Sequence, residues 1–332
     1  MNKLLLIFLF LIITILFIIA NNFLLKNRVY DFFDNNEEKL INLDILPKIK
    51  KIYLWQGERQ DNALQFMYKP VIISILEILE KEINNIIEID YRFNNLNFDE
   101  LEENDLLIWV GCENIPNFDI LKKRNIYTIY YNTEPDFDQI NTDEIWTYSK
   151  YLFDNYNKVH KNQIIKFVPI ICEENVPVVP YHIEDDNIKL IFMGSLNYRP
   201  DKKDILMSKH LLKNNLEEVY NLWSDNDFNN FIKKKANIFL NLTKTNNIVL
   251  PSLRFNKLLS HKCIIISEHT NDIDEEFYKD IIYFCNVDEI EDVYKKLMNK
   301  TNIELQNEAD EIYKKFYNRF NTSNVQKLII SR

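Results

Sequence analysis

Asn237–Glu268 reads NIFLNLTKTNNIVLPSLRFNKLLSHKCIIISE. The pattern predicts a strand over Asn237–Leu242, a polar loop, a helix over Ser252–Ser260, a turn, and a second strand over Cys263–Ser267. Pro251 stands before or at the first helical turn, where its missing N–H costs nothing. Phe255, Leu258 and Leu259 share one helical face and suit a core. Arg254 and Lys257, three apart, lie together on another face. The start of such a helix offers unpaired N–H groups and a partial positive charge. An arginine in that first turn adds a guanidinium able to hold two oxygens of one anion. The alternative is a solvated basic face carrying two isolated charges.

The same alternation extends in both directions. Upstream, strands are predicted at Ile52–Trp55, Ile86–Ile89, Leu106–Val110, Ile126–Tyr131 and Ile164–Val168. Pro70 opens a helix whose Ile72, Ile75, Leu76, Leu79 and Ile83 fall at helical spacing, and a second helix covers Ser149–His160. Val176–Glu184, with Pro177 and Pro180, reads as a domain boundary. Beyond it come strands at Lys189–Met193 and Ile281–Phe284, and helices near Asp204–Leu212, Phe228–Lys235, Val287–Met298 and Glu304–Phe320. Strands alternating with helices imply parallel sheets, and 332 residues exceed what one core usually fills, so two α/β domains are expected.

At the amino end, Leu4–Ala20 is uncharged and nearly all apolar, and at about 1.5 Å per residue it spans about 26 Å. An uncleaved membrane anchor over residues 1–25 is expected, contacting the bilayer through residues 4–25. Ile18-Ile19-Ala20 is a poor cleavage site for the rival signal peptide. Lys3 on one side and Lys26 and Arg28 on the other leave the orientation open. Residues 26–47 read as a stalk. A net charge of −10 with no basic block argues against a nucleic-acid partner. Cys112, Cys172, Cys263 and Cys285 form no CxxC pair and read as buried thiols.

Only three glycines occur, Gly57, Gly111 and Gly194, and each closely follows a predicted strand. In open α/β sheets ligands bind at the carboxyl ends of strands, so these glycines mark a ligand edge, with plain turn geometry as the alternative. Their scarcity excludes the G-x-G-x-x-G fingerprint, the P-loop and the G-x-S-x-G elbow. The D-x-D triplets Asp136–Asp138, Asp225–Asp227 and Asp272–Asp274 are expected by chance in so acidic a chain, and the five histidines form no ligand pattern.

PSLRFNKLLSHKCIIISE resembles the donor-site segment of GT-B-fold glycosyltransferases of the group-1-like, CgeB-like type, where Pro-x-x-Arg-x-x-Glu-x-Leu-x-x-Gly precedes a strand ending in Ser-Glu or Ser-Asp. Phe192-Met193-Gly194-Ser195 followed by Arg199 is similar to that family's first C-terminal strand and phosphate-side loop. Trp146-Thr147-Tyr148-Ser149 and Phe167-Val168-Pro169 resemble the end of its N-terminal domain. The resemblance covers roughly residues 105–320. It implies two Rossmann-like parallel-sheet domains facing across a cleft, residues 48–178 for the acceptor and 185–302 for the nucleotide-sugar. It further implies that the stretch 303–332 packs back toward the first domain.

What the resemblance implies in function is transfer of a sugar from a nucleoside-diphosphate sugar to a hydroxyl of a glycan, lipid or protein. Gly194, Ser195, Arg199, Ser252, Leu253, Arg254, Asn256 and Lys257 would bind the donor. A basic diphosphate site makes a metal unnecessary, so no metal and no cofactor are expected. Glu134, after the strand ending Tyr130-Tyr131-Asn132, is the candidate catalytic base, and Gly57 and Glu58 are acceptor-side candidates. Two departures stand out: Asn256 replaces a glutamate, and the turn glycine is replaced near His261-Lys262. Asn256 keeps alive a rival, a tethered binding module of the same fold without catalysis. A second rival, an unrelated Rossmann-like enzyme, would bind a nicotinamide or flavin.

Overall fold

A computed structural model describes residues 39–41, 45–57, 62–83, 87–93, 97–111, 115–133, 140–160, 162–181, 188–220, 222, 224–234, 237–243, 249–270 and 272–331. The expected anchor over residues 1–25, most of the stalk, Glu58, Glu134, Cys112 and the triplet 136–138 lie outside these residues. Among the described residues no helix is long and apolar enough to cross a membrane.

Two sheets organise the chain. The first has the order β12-β6-β5-β4-β3-β1-β2. Its strands are β1 (Lys51–Gln56), β2 (Glu88–Phe93), β3 (Leu106–Val110), β4 (Tyr127–Asn132), β5 (Glu144–Thr147), β6 (Ile164–Phe167) and β12 (Ile330–Ser331). All its pairings are parallel except β12 against β6. The second sheet, order β11-β10-β9-β7-β8, is parallel throughout. It comprises β7 (Lys189–Met193), β8 (Leu216–Val219), β9 (Asn237–Asn241), β10 (Ile264–Glu268) and β11 (Tyr283–Cys285).

Helices connect the strands: α1 (Asn62–Ile83), α2 (Phe118–Lys123), α3 (Lys150–Val159), α4 (Pro200–Ser208), α5 (His210–Asn215), α6 (Asp225–Lys234), α7 (Ser252–Ser260), α8 (Glu275–Tyr278), α9 (Ile290–Met298), α10 (Asn302–Phe320) and α11 (Thr322–Leu328). Every residue of β3 is buried, as expected of a strand covered on both faces. Cys172, Cys263 and Cys285 are buried free thiols.

Pro70 does not open a helix; it lies inside α1, which begins at Asn62. An interior proline costs about 3 kcal/mol. Val71, Ile75, Ile78 and Leu79 are all fully buried, at about 1.5–3 kcal/mol each, which outweighs that cost. The Ser74 hydroxyl donates to the Pro70 carbonyl (2.6 Å).

The amphipathic reading of α7 is also corrected. Ser252, Leu253 and every residue from Phe255 to Ser260 are buried, so the helix has core on nearly all sides. It is gripped by the segment leaving β6. Asn256 Nδ2 donates to the Ile170 carbonyl (2.7 Å), and the Glu173 N–H donates to Ser260 Oγ (2.9 Å). Lys257 Nζ lies 3.4 Å from Glu173 and 3.1 Å from Asp225 of α6, and Asp225 also pairs with Lys69 of α1. A lysine expected to assist at the donor diphosphate therefore sits inside a charge network between the sheets.

The tail returns to the first sheet. The Cys172 N–H donates to the Phe320 carbonyl (2.7 Å), Thr322 Oγ1 donates to Glu77 of α1 (2.7 Å), and β12 closes the edge at β6. The carboxyl edges of the two sheets face each other where Lys150, just past β5, receives Asp274, just past β10: both Asp274 oxygens accept the Lys150 N–H at 3.0 Å.

At the end of α7, the Cys263 N–H donates to the Leu258 carbonyl and the Lys262 N–H to the Leu259 carbonyl, both at 3.0 Å. This is a Schellman cap, and its left-handed residue is Lys262, at φ 58°. A glycine there carries no Cβ penalty, and the Lys262 pair with Asp310 is partly exposed and worth little. Lys262→Gly should therefore raise stability by about 0.5–1 kcal/mol in urea titration; a loss would show that the Asp310 pair dominates.

His261, 1% exposed, donates Nδ1–H to the Pro177 carbonyl, while its buried Nε2 has no partner. Burial beside the Phe228 ring, with Lys257 adding to it, pushes its pKa down to about 4. The unfolded chain then binds more protons than the folded one between about pH 6.5 and 4, so stability falls as the pH drops through that window. The loss should reach about 3 kcal/mol, and His261→Gln should flatten that part of the pH profile. An unchanged slope in the variant would assign the acid limb to other groups.

Candidate functional site

In both sheets the strand order reverses beside the first strand: β1 lies between β2 and β3, and β7 lies between β8 and β9. Such switch points leave a crevice at the carboxyl ends of the flanking strands. Gly57 follows β1 and Gly111 follows β3, so both stand at the first crevice; Gly111 has φ 122° and backs onto the Tyr68 ring. Gly194 follows β7 at the second crevice with φ 131°, a conformation side chains rarely adopt.

The second crevice is built around two arginines. Ser195 caps the short turn Leu196–Tyr198, and this places Arg199 at the start of α4. Arg199, 9% exposed, donates from Nε to the Leu242 carbonyl (3.0 Å) and from Nη1 to the Ser195 carbonyl (3.2 Å), tying the loop after β7 to the end of β9. Its guanidinium lies over the Phe192 ring at 5.0 Å. Arg254, in the first turn of α7, donates from Nη1 to Asn241 Oδ1 (3.3 Å). Its buried Nε has no partner. Burial, and then the charge of Arg199, push the Arg254 pKa down to about 10. Arg199 is likewise lowered by burial, against the attraction of Glu268.

Around these lie groups that the sequence did not single out as site residues. Lys202, on α4 just past Arg199, pairs with Glu268 at the end of β10 (2.6 Å) and donates to the Thr243 carbonyl (2.7 Å). Glu268 also accepts the Thr243 N–H (2.9 Å). One carboxylate thus faces two cations, Arg199 and Lys202, and its oxygens are taken up by Lys202 and Thr243. Among the described residues no carboxylate pairs with Arg254. A cationic surplus at a switch point, in a chain of net charge −10, can hold an anion. A signal for Lys202 and Glu268 was present: one follows Arg199 by a helical turn, the other ends the Ser-Glu strand.

Of the predicted donor-binding residues, the fold brings Gly194, Ser195, Arg199 and Arg254 together. Ser252 is buried and bonds Tyr278. Leu253 is buried. Asn256 does not face the crevice: its Nδ2 binds Ile170 and its Oδ1 accepts the Tyr278 hydroxyl (2.6 Å). Lys257 is held by Glu173 and Asp225, so its charge is spent between the sheets. The physical reason is shared. A polar residue on a helix packed between two sheets must be satisfied there or left buried and unpaired. Among the described residues no group of three or more His, Cys, Asp or Glu side chains is arranged to hold a metal.

The chain thus carries two Rossmann-like sheets, parallel but for the edge strand β12. By sequence, no protein-family model and no curated protein matches the chain. By structure, it is similar to the UDP-forming α,α-trehalose-phosphate synthase of Burkholderia xenovorans, with TM-score 0.45 and 7% identity over 84% of this chain and 97% of that one. It is similar to MnaA of S. aureus, solved with UDP, with TM-score 0.46 and 11% identity over 84% and 94%. The pneumococcal O-GlcNAc transferase GtfA, solved with UDP and GlcNAc, gives TM-score 0.41 and 11% identity over 78% and 58%. With scores and identities this low, the chemistry has to be read from this chain's own side chains.

Proposed function

We propose that this chain is a glycosyltransferase that takes a nucleoside-diphosphate sugar in the second crevice and transfers the sugar to a hydroxyl of a glycan, lipid or protein. The observation that carries this reading is the Arg199–Arg254 pair, two part-buried guanidiniums at a switch point, one of them with an unpartnered Nε. A diphosphate answers both charges. Cations already fixed in place stabilise the negative charge that grows on the leaving diphosphate as the bond between the anomeric carbon and its phosphate oxygen breaks. That supply of positive charge makes the proposed reaction metal-independent. The acceptor oxygen bonds to the anomeric carbon and its proton passes to a base, for which Glu134 is the candidate. Residues 4–25 are proposed to hold the enzyme at a bilayer.

A second reading, a binding module without turnover, is favoured by one observation: Asn256, which stands where similar enzymes carry a glutamate, is committed to Ile170 and Tyr278. Transfer and donor hydrolysis by the full chain, measured against a panel of nucleotide-sugars and acceptors, separate the two. Saturable binding with no turnover on any donor would select the module, and no binding of any donor would remove both.

Arg254→Ala should weaken donor binding roughly 10- to 150-fold, the worth of a charge-assisted hydrogen bond, and Arg254→Lys should recover only part. For folding alone the same position is a liability, because a desolvated cation faces a like charge. Arg254→Met should therefore raise stability by about 1–3 kcal/mol without ligand, while losing donor affinity. A variant that is less stable and binds the donor normally would make Arg254 a structural residue.

A further inference from the structure

Asp272 and Asp274 belong to a triplet that composition alone would explain, yet both are nearly inaccessible, at 6% and 2% exposure. Burial pushes both carboxyls above the usual range, with Glu275 adding to Asp272, and with Asp272 adding to Asp274 against Ser149 and Lys150. Each is placed on a backbone N–H where a helix begins. Asp272 Oδ2 accepts the Leu250 N–H (2.7 Å) and Oδ1 accepts the Asp274 N–H (3.0 Å). Asp274 accepts the Lys150 N–H, the first of α3, and bonds the Ser149 side chain.

The Leu250 bond matters because Pro251 is the next residue. Pro251 has no N–H and caps α7 with no side chain. Leu250 therefore carries the last backbone donor ahead of the helix, its carbonyl accepts the Ser252 N–H (2.8 Å), and Arg254 lies in the turn just beyond. The same connection grips α7 again through Tyr278 and Asn256. The path from the first sheet toward Arg254 thus runs Lys150, Asp274, Asp272, Leu250 with a hydrogen bond at each step, and on from Leu250 along the chain.

We infer that Asp272 and Asp274 are positioning residues for the anion site, a clasp that fixes Arg254 against Arg199 only while α3's first turn, on the first sheet's side, is docked on the connection after β10. This rests on the anion-site reading proposed above. Neither carboxylate touches the anion; an asparagine at either place keeps the volume but turns one acceptor oxygen into a donor facing an N–H or hydroxyl.

The test is a double-mutant cycle on the full chain, with inorganic pyrophosphate as the probe and affinity measured by calorimetry well below the melting temperature. Arg254→Ala should weaken pyrophosphate binding at least tenfold. Asp272→Asn and Asp274→Asn should each weaken it about tenfold, and neither should weaken it further in the Arg254→Ala background. Hydrogen exchange read on the same samples should show faster exchange at Leu250 in Asp272→Asn and at Lys150 in Asp274→Asn. If Arg254→Ala loses binding while both asparagine variants bind within twofold of the parent, the clasp is overturned and the anion site stands. Equal weakening in both backgrounds also overturns the clasp, since a general loss of structure acts without Arg254. If the parent chain does not bind pyrophosphate, both readings fall. Should Asp272→Asn fail to fold, Asp274→Asn alone decides by the same criteria.

Discussion

The structure hangs on a helix with no outside. Ser252–Ser260 emerges from one sheet and is packed against the segment leaving the other, so its polar positions are satisfied from both halves of the chain. Asn256 needs a donor for the Ile170 carbonyl and an acceptor for the Tyr278 hydroxyl, and an amide supplies both where a carboxylate supplies only acceptors. The Lys257–Glu173 pair is nearly inaccessible, at 4% side-chain exposure each, and burial pushes the Glu173 carboxyl up despite the lysine. A pair buried this deeply adds little net stability, because desolvation offsets most of the attraction. Its effect is specificity: a rotation of the helix would strand a lysine in the core.

Fixing the helix also fixes Arg254, and this explains how two like charges coexist. Left mobile, the guanidiniums would separate toward water. Arg199 is held by two carbonyls and the Phe192 ring, and Arg254 by its place in a helix that cannot turn. An anion entering between them would relieve that repulsion, the arrangement expected where binding is preorganised.

Much of the fold is legible in the sequence because the central parallel strands are buried on both faces. Leu106–Val110 and Lys189–Met193 stand out as apolar runs, and both coincide with strands. β5 escapes a reading of hydropathy because it begins with a charge. Glu144, fully buried, takes Lys166 (3.1 Å), Trp146 Nε1 (2.8 Å) and Tyr127 Oη (2.9 Å), so its strand carries no apolar signature. β8 escapes for a related reason: Glu217 and Glu218 occupy an edge strand, and Glu218 accepts the Leu196 N–H. At the candidate site, Arg199 and Arg254 are visible as arginines near strand ends. Asn256 and Lys257 mislead because helical spacing assigns faces by assuming one side is wet, and here neither side is.

The left-handed positions tell how such a composition is tolerated. With three glycines in 332 residues, the described chain still takes positive φ at Asn104, Asn125, Asn175, Lys262 and Asp280. Asparagine and aspartate are the side chains that enter this region most cheaply, since their short polar ends bond locally. Each non-glycine residue there also narrows the unfolded ensemble, which offsets part of the local strain. A lineage drifting toward asparagine and lysine can thus shed glycine from its turns at little thermodynamic loss, one position at a time. Gly111 and Gly194 lie beyond that drift: their φ values of 122° and 131° fall outside the basin asparagine can share, so those two turns are the ones mutation pressure cannot rewrite.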